Sequence, residues 1–216
     1  MLMRKYYNLL LLLMLTMGAV GTLAQKRTTM ATHYRDFRPS MITFTDGRRL
    51  PQPLTNIFLK NSTLLYMKGE YAMEANMDNI VAVEFDDRNY RNINGQLGYF
   101  VDSVKSNSLY CIELFDQDSY ERNLRNNVNI SSLDLSNDQM GTTTVDLNTE
   151  EDYKFPVIPK YYYRFNGEWV KVHERELWRR LKDKEKRRLF KTVVGSDNFS
   201  WVDPESLVSL LKVITD

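Results

Sequence analysis

Tyr161-Tyr162-Tyr163-Arg164-Phe165-Asn166-Gly167-Glu168-Trp169-Val170-Lys171-Val172 is the stretch that decides the fold of this 216-residue chain. Aromatic and β-branched runs flank Asn166-Gly167. A two-residue hairpin turn needs positive φ at its centre, which glycine adopts freely and asparagine tolerates. Alternation sends one set of the aromatic side chains to a core and leaves Tyr162 and Arg164 outside. Directly afterwards the period changes. Leu177, Trp178, Leu181, Leu189, Phe190 and Val193 recur at helical intervals from His173 to Val194, with Asp183 placed to cap a second helix after a break and Gly195 to end it. Asp203-Pro204 opens a last helix, aspartate as cap and proline at the first helical position, and Val202 and Leu207 are spaced for a hydrophobic staple. Leu207, Leu210, Leu211 and Ile214 form one apolar stripe, so these helices are expected to bury one face of the Tyr-rich hairpin.

Upstream of the hairpin, short apolar runs end in turn dipeptides: Ile42 and Phe44 before Asp46-Gly47, Leu64 and Tyr66 before Lys68-Gly69, Tyr90 and Ile93 before Asn94-Gly95. This is the texture of antiparallel strands. Longer strands are expected at 80–85, with Val81, Val83 and Phe85 on one face, at 96–104, and at 109–115, where both faces are apolar and Cys111 belongs to the core. Asp118-Ser119-Tyr120-Glu121 reads as a helix start capped by Asp118. The fold class is α+β: a strand-rich antiparallel body of short hairpins, then a C-terminal β-hairpin packed by two or three short helices. The spacing of the turns is too irregular for a repeat architecture.

The expected organisation is a signal peptide at 1–24, a flexible tether at 25–40, an antiparallel β-rich domain at 41–116, a connecting arm at 117–152 able to add an edge strand, and the hairpin with its helices at 153–216. Arg4 and Lys5 precede an apolar run from Leu9 to Val20, and Thr22 and Ala24 supply the small residues of a cleavage site before Gln25. The run is short of the roughly 20 residues of a spanning helix. The expected address is therefore export, to the periplasm or to an extracellular, outer-membrane-associated position, with no integral membrane span after cleavage. One cysteine forms no internal disulfide, so the fold must hold by packing.

Four blocks, Ile57-Phe58-Leu59-Lys60-Asn61, Met73-Glu74-Ala75-Asn76-Met77, Phe85-Asp86-Asp87-Arg88 and the tail from Tyr161 to Ile214, resemble those of uncharacterised exported envelope proteins of Bacteroidota-type bacteria. The likeness is one of layout: leader, strand-rich body, Tyr-rich hairpin, basic helix and Leu-rich terminal helix. It implies an envelope address and carries no assigned chemistry.

Candidate chemistry is sparse. Of the two histidines, His33 falls in the expected tether and His173 at the hairpin-to-helix junction, and neither has a cysteine or second histidine at ligand spacing in the sequence. A Cys111–His173 pair requires the fold to join them. Asp86-Asp87, Asp116 with Asp118, and Glu150-Glu151-Asp152 are clusters that turns and caps explain. No nucleophile elbow, phosphate loop or zinc motif occurs. No catalytic, metal or cofactor residue is assigned, and no cofactor is expected. Asn61-Ser62-Thr63, Asn129-Ile130-Ser131 and Asn198-Phe199-Ser200 match the glycosylation acceptor pattern, which matters only on a eukaryotic secretory path.

Charge is informative only locally: residues 173–194 hold nine cations against four acids. Arg175, Arg179, Arg180, Lys184, Arg187, Arg188 and Lys191 form the expected partner or anion surface, opposed by the alternative that they coat a solvated helix. The functional expectation is a non-catalytic exported envelope component that binds or scaffolds a protein or an anionic glycan or lipid, with no nucleic acid. The alternatives are a secreted carboxylate-dependent hydrolase, with Asp86 or Asp87 near Asp116 or Glu113 in a hollow, and a peripheral membrane-surface protein using the basic helix 173–194.

Overall fold

Each of the expected turns is where a strand reverses. The structure is a computed structural model and describes residues 30–127 and 154–215. In chain order the strands are β1 (Arg38–Phe44), β2 (Arg49–Phe58), β3 (Thr63–Lys68), β4 (Tyr71–Glu74), β5 (Ile80–Glu84), β6 (Asn89–Ile93), β7 (Gln96–Val104), β8 (Asn107–Phe115), β9 (Val157–Phe165) and β10 (Glu168–Lys171). The helices are α1 (Gln117–Asn127), α2 (Glu174–Arg180), α3 (Lys184–Val194) and α4 (Pro204–Thr215). Asn94-Gly95 and Asn166-Gly167 have positive φ at both central positions, the backbone that matches the twist of the strands they join.

All ten strands form one antiparallel sheet in the order β4-β3-β2-β1-β5-β6-β7-β8-β9-β10. The expected boundary between a body and a C-terminal unit therefore does not divide the sheet: β8 and β9 pair from Ser108↔Arg164 to Phe115↔Val157. At one end the sheet curls onto itself. The turn after β2 reaches β7 and β8, where Ser62 exchanges bonds with Leu97 and Leu59 accepts from the Phe115 amide.

Two apolar clusters make up the interior, one within the first strands and one between the sheet and the helices. Ile42, Ile57, Leu64, Val83, Tyr90 and Leu97 pack inside the first strands. Leu109, Cys111, Tyr161 and Tyr163 meet Leu177, Phe190, Leu207, Leu210 and Leu211 from the helices, and Tyr99 touches both groups. Tyr163 is fully buried, and its hydroxyl donates to the Leu207 carbonyl at 2.6 Å, fixing α4 over β9.

Several expectations need correction. Residues 30–40 are not a free tether. Thr32 bridges Phe58, His33 donates its amide to Ile57, and Phe37 is 2% exposed. The anchor is Asn56, itself fully buried, whose Oδ1 accepts from the Tyr34 amide while its Nδ2 donates to the Tyr34 and Asp36 carbonyls. In β5, Val81 is exposed while Ile80, Ala82 and Val83 are buried, so the apolar face is not the set Val81, Val83 and Phe85. Helix α1 is capped by Asp116, which accepts from Ser119, and Asp118 lies inside the first turn. Val202 is 65% exposed beside a fully buried Leu207, so no staple closes there. The signal peptide and the possible edge strand in 128–147 lie outside the described residues.

The helical layer otherwise follows the pattern. Asp183 caps α3 by accepting from the Glu185 and Lys186 amides, and the Asp203 carboxylate caps α4 through the Ser206 amide. Among the described residues no helix is long and apolar enough to cross a membrane.

Candidate binding face

The registers that bury Tyr161 and Tyr163 under the helices place a second set of large side chains on the opposite face of the sheet. Phe100 stands opposite Tyr110, Tyr110 opposite Tyr162, and Tyr162 opposite Lys171; one pair along the hairpin, Arg164 faces Trp169. Directly paired residues share a face. The rings meet edge to face, Phe100 on Tyr110 at 5.8 Å and Tyr110 on Trp169 at 5.0 Å, and the Arg164 guanidinium lies 4.8 Å from the Trp169 ring centre. Each ring pair is worth about 0.5–1.5 kcal/mol beyond its buried area. The chain of contacts thus fixes the orientation of side chains that stay partly in water, Phe100 being 44% exposed.

Beside Phe100 and Tyr110 the same face dips into a hollow of about 370 Å³. Glu84, Asn89 and Arg91 from β5 and β6 complete its wall. Glu84 is held at 2.6 Å by Arg49, whereas among the described residues Arg91 has no carboxylate within ion-pair range.

The cationic surface expected on α2 and α3 is partly consumed within the protein. Arg179 pairs with Glu176 at 3.2 Å and Arg180 with Glu168 at 2.8 Å. Arg187 donates to the Leu181 carbonyl at 2.6 Å, and Arg187 and Lys191 both lie 5.0 Å from the Trp178 ring centre. Arg175, Lys184 and Arg188 are exposed without an acidic partner among the described residues. A second hollow of about 250 Å³, lined by Phe165, Val170, Leu181, Arg180 and Lys186, opens between the hairpin and these helices.

A third assembly joins residues far apart in the chain. The docked N-terminal segment brings His33 Nδ1 to 3.0 Å from Glu113 Oε2, and the Arg88 guanidinium lies 3.6 Å from the same oxygen. Arg88 also stacks 4.4 Å from the centre of Tyr99, while the Tyr90 hydroxyl sits beside Arg88 and Tyr34 without a well-formed bond to either. Burial opposes ionisation of Glu113. The His33 hydrogen bond and the charges of His33 and Arg88 outweigh it and hold the carboxyl below its ordinary value. Burial first, then their polar neighbours, pushes the Tyr34 and Tyr99 hydroxyls far above the usual phenol range. Burial likewise pushes the Cys111 thiol up to about 11.

The remaining candidates do not converge. Asp86 and Asp87 bind Arg38, with Asp87 also accepting from Tyr34 at 2.8 Å. Asp116 caps α1, and Glu113 is engaged by His33. Neither hollow described above is lined by any of these four carboxylates. Cys111 is buried in the interior, while His173 is exposed and caps α2 by accepting from Arg175, so the two form no pair. Among the described residues no three His, Cys, Asp or Glu side chains gather as ligands for a metal ion. Glu150-Glu151-Asp152 lies outside the described residues.

Sequence reasoning missed the roles of Phe100, Tyr110 and Arg91, because they face Trp169 or one another only through strand pairing. It missed His33 with Glu113 for the same reason, the two lying 80 positions apart. No family model matches this chain, and no curated protein and no solved structure matches it.

Proposed function

We propose that this protein is an exported, non-catalytic binding component of a cell envelope, and that it engages its protein or glycan partner through the face built by Phe100, Tyr110, Tyr162, Arg164 and Trp169. The observation that carries this reading is the chain of edge-to-face contacts from Phe100 to Trp169, capped by Arg164, on the side of the sheet away from α2–α4. Trp, Tyr and Arg are the residues enriched where proteins bind one another, and large rings held rigid offer contact area at little cost in side-chain entropy. Export is supported by the basic start, the apolar run and the small residues before Gln25.

The test is binding of the purified protein to immobilised envelope glycans and envelope proteins, repeated with Tyr110→Ala combined with Trp169→Ala. Binding should weaken at least about tenfold in the double variant with its thermal midpoint kept within a few degrees, as expected for loss of anchor residues. Undiminished binding by a folded double variant refutes the assignment of this face. The address is tested separately by N-terminal sequencing from the native host, where Gln25 is the expected first residue.

A further inference from the structure

We infer that the hollow bounded by Phe100, Tyr110, Arg91, Asn89 and Glu84 is a subsite for a carboxylated sugar, a uronic-acid unit of a glycan. The inference rests on the reading of this sheet face as a binding surface and names the chemistry of its ligand. Four features carry it. The volume of about 370 Å³ is at the small end of small-molecule sites, which run from about 300 Å³ upward, and suits a single ring better than a peptide segment. Phe100 and Tyr110, fixed at 5.8 Å and nearly perpendicular, offer both a ring face and a ring edge to the apolar C–H surface of a pyranose. Asn89 presents an amide donor and acceptor, and Glu84, ion-paired with Arg49, presents a carboxylate acceptor for hydroxyl groups. Arg91 lies on the strand between Glu84 and Phe100, exposed and without an acid among the described residues, and its planar fork matches a carboxylate in two parallel bonds. A neutral sugar offers that guanidinium no charged partner.

The face extends the site in one direction. Tyr110 belongs both to the hollow and to the contact with Trp169, so the next sugar along a chain meets Trp169 and Arg164. Charge supplies the complementarity: Arg91, Lys160, Arg164 and Lys171 occupy this face of β6, β9 and β10.

The experiment is calorimetric titration of the purified protein with trigalacturonic acid and with its methyl ester, which keeps the rings and removes the charge. The acid is expected to bind, the ester to bind at least about tenfold more weakly, and Arg91→Ala to erase the difference while Arg91→Lys restores part of it. Backbone NMR shifts on titration should fall on Arg91, Phe100 and Tyr110. Equal affinity for acid and ester, or a difference unaffected by Arg91→Ala, overturns the carboxylate assignment and leaves the binding face intact. Failure to bind either sugar, with a protein partner still crosslinking through Trp169, overturns the glycan subsite alone. Failure of both, with no partner contacting Trp169, overturns the face as well.

Discussion

Replacing Asn56 with aspartate separates the two descriptions of residues 30–40, docked strand-like segment and free tether. Asn56 is fully buried and bonds in both senses: Oδ1 accepts from the Tyr34 and Ile57 amides at 3.1 and 2.8 Å, and Nδ2 donates to the Tyr34 and Asp36 carbonyls at 2.8 and 3.3 Å. Asn56→Asp keeps shape and both acceptor bonds but turns the donor into an oxygen facing two carbonyls. Two lost bonds at about 1 kcal/mol each, plus the cost of an acceptor left opposite acceptors, give about 2–4 kcal/mol. Burial raises the folded-state pKa of the introduced carboxyl above its unfolded value. The protonated form donates one bond back, so the destabilisation is smallest below about pH 4, the ordinary aspartate range, and grows as pH rises through the folded value. The assay is urea denaturation of both proteins at pH 4 and pH 8, with tryptic cleavage after Arg35 at pH 8 as the local readout. A variant within about 0.5 kcal/mol of the parent at pH 8, or a loss that does not shrink at pH 4, refutes the account of Asn56 as anchor.

Tyr163→Phe removes the bond to Leu207 and leaves the ring in place, so urea denaturation should show a loss of about 1 kcal/mol, and no loss means that bond does not hold α4. Phe190→Ala empties a site that is 1% exposed under α4 and should cost about 3–5 kcal/mol, measured the same way; a cost near 1 kcal/mol would mean the helices collapse to fill it. Glu113 has a lowered folded-state value, so its contribution is complete above the ordinary glutamate range of about pH 4.3 and is lost as pH falls through the folded value. Thermal melts from pH 6 to pH 3 should therefore fall less steeply for Glu113→Gln than for the parent, and parallel curves would remove the ion-pair reading.

The hairpins were legible because glycine, at two of them preceded by asparagine, marks the positions that need positive φ. The turn joining β7 to β8 was not, since Lys105 takes φ +55 with neither glycine nor asparagine present. The helical tail was legible from its period, and Asp183 from the break in it. The docked N-terminal segment escaped because its backbone, at Tyr34 and Asp36, bonds to the Asn56 side chain rather than its side chains displaying an apolar alternation. The site follows the same division. Alternation within one hairpin separates Tyr161 and Tyr163 from Tyr162 and Arg164, but Phe100, Tyr110 and Arg91 join Trp169 only when β5 to β10 align. That alignment is a property of strand register, which no local pattern states.

The lone thiol has a consequence for handling. Sealed beneath α4 and shifted to about 11, Cys111 stays protonated and out of reach while the fold is closed, so neither mixed disulfides nor covalent dimers form from the native state. Its reaction with a disulfide reagent proceeds only when the helical layer lifts from β8, which makes the side chain a built-in gauge of how often this molecule opens.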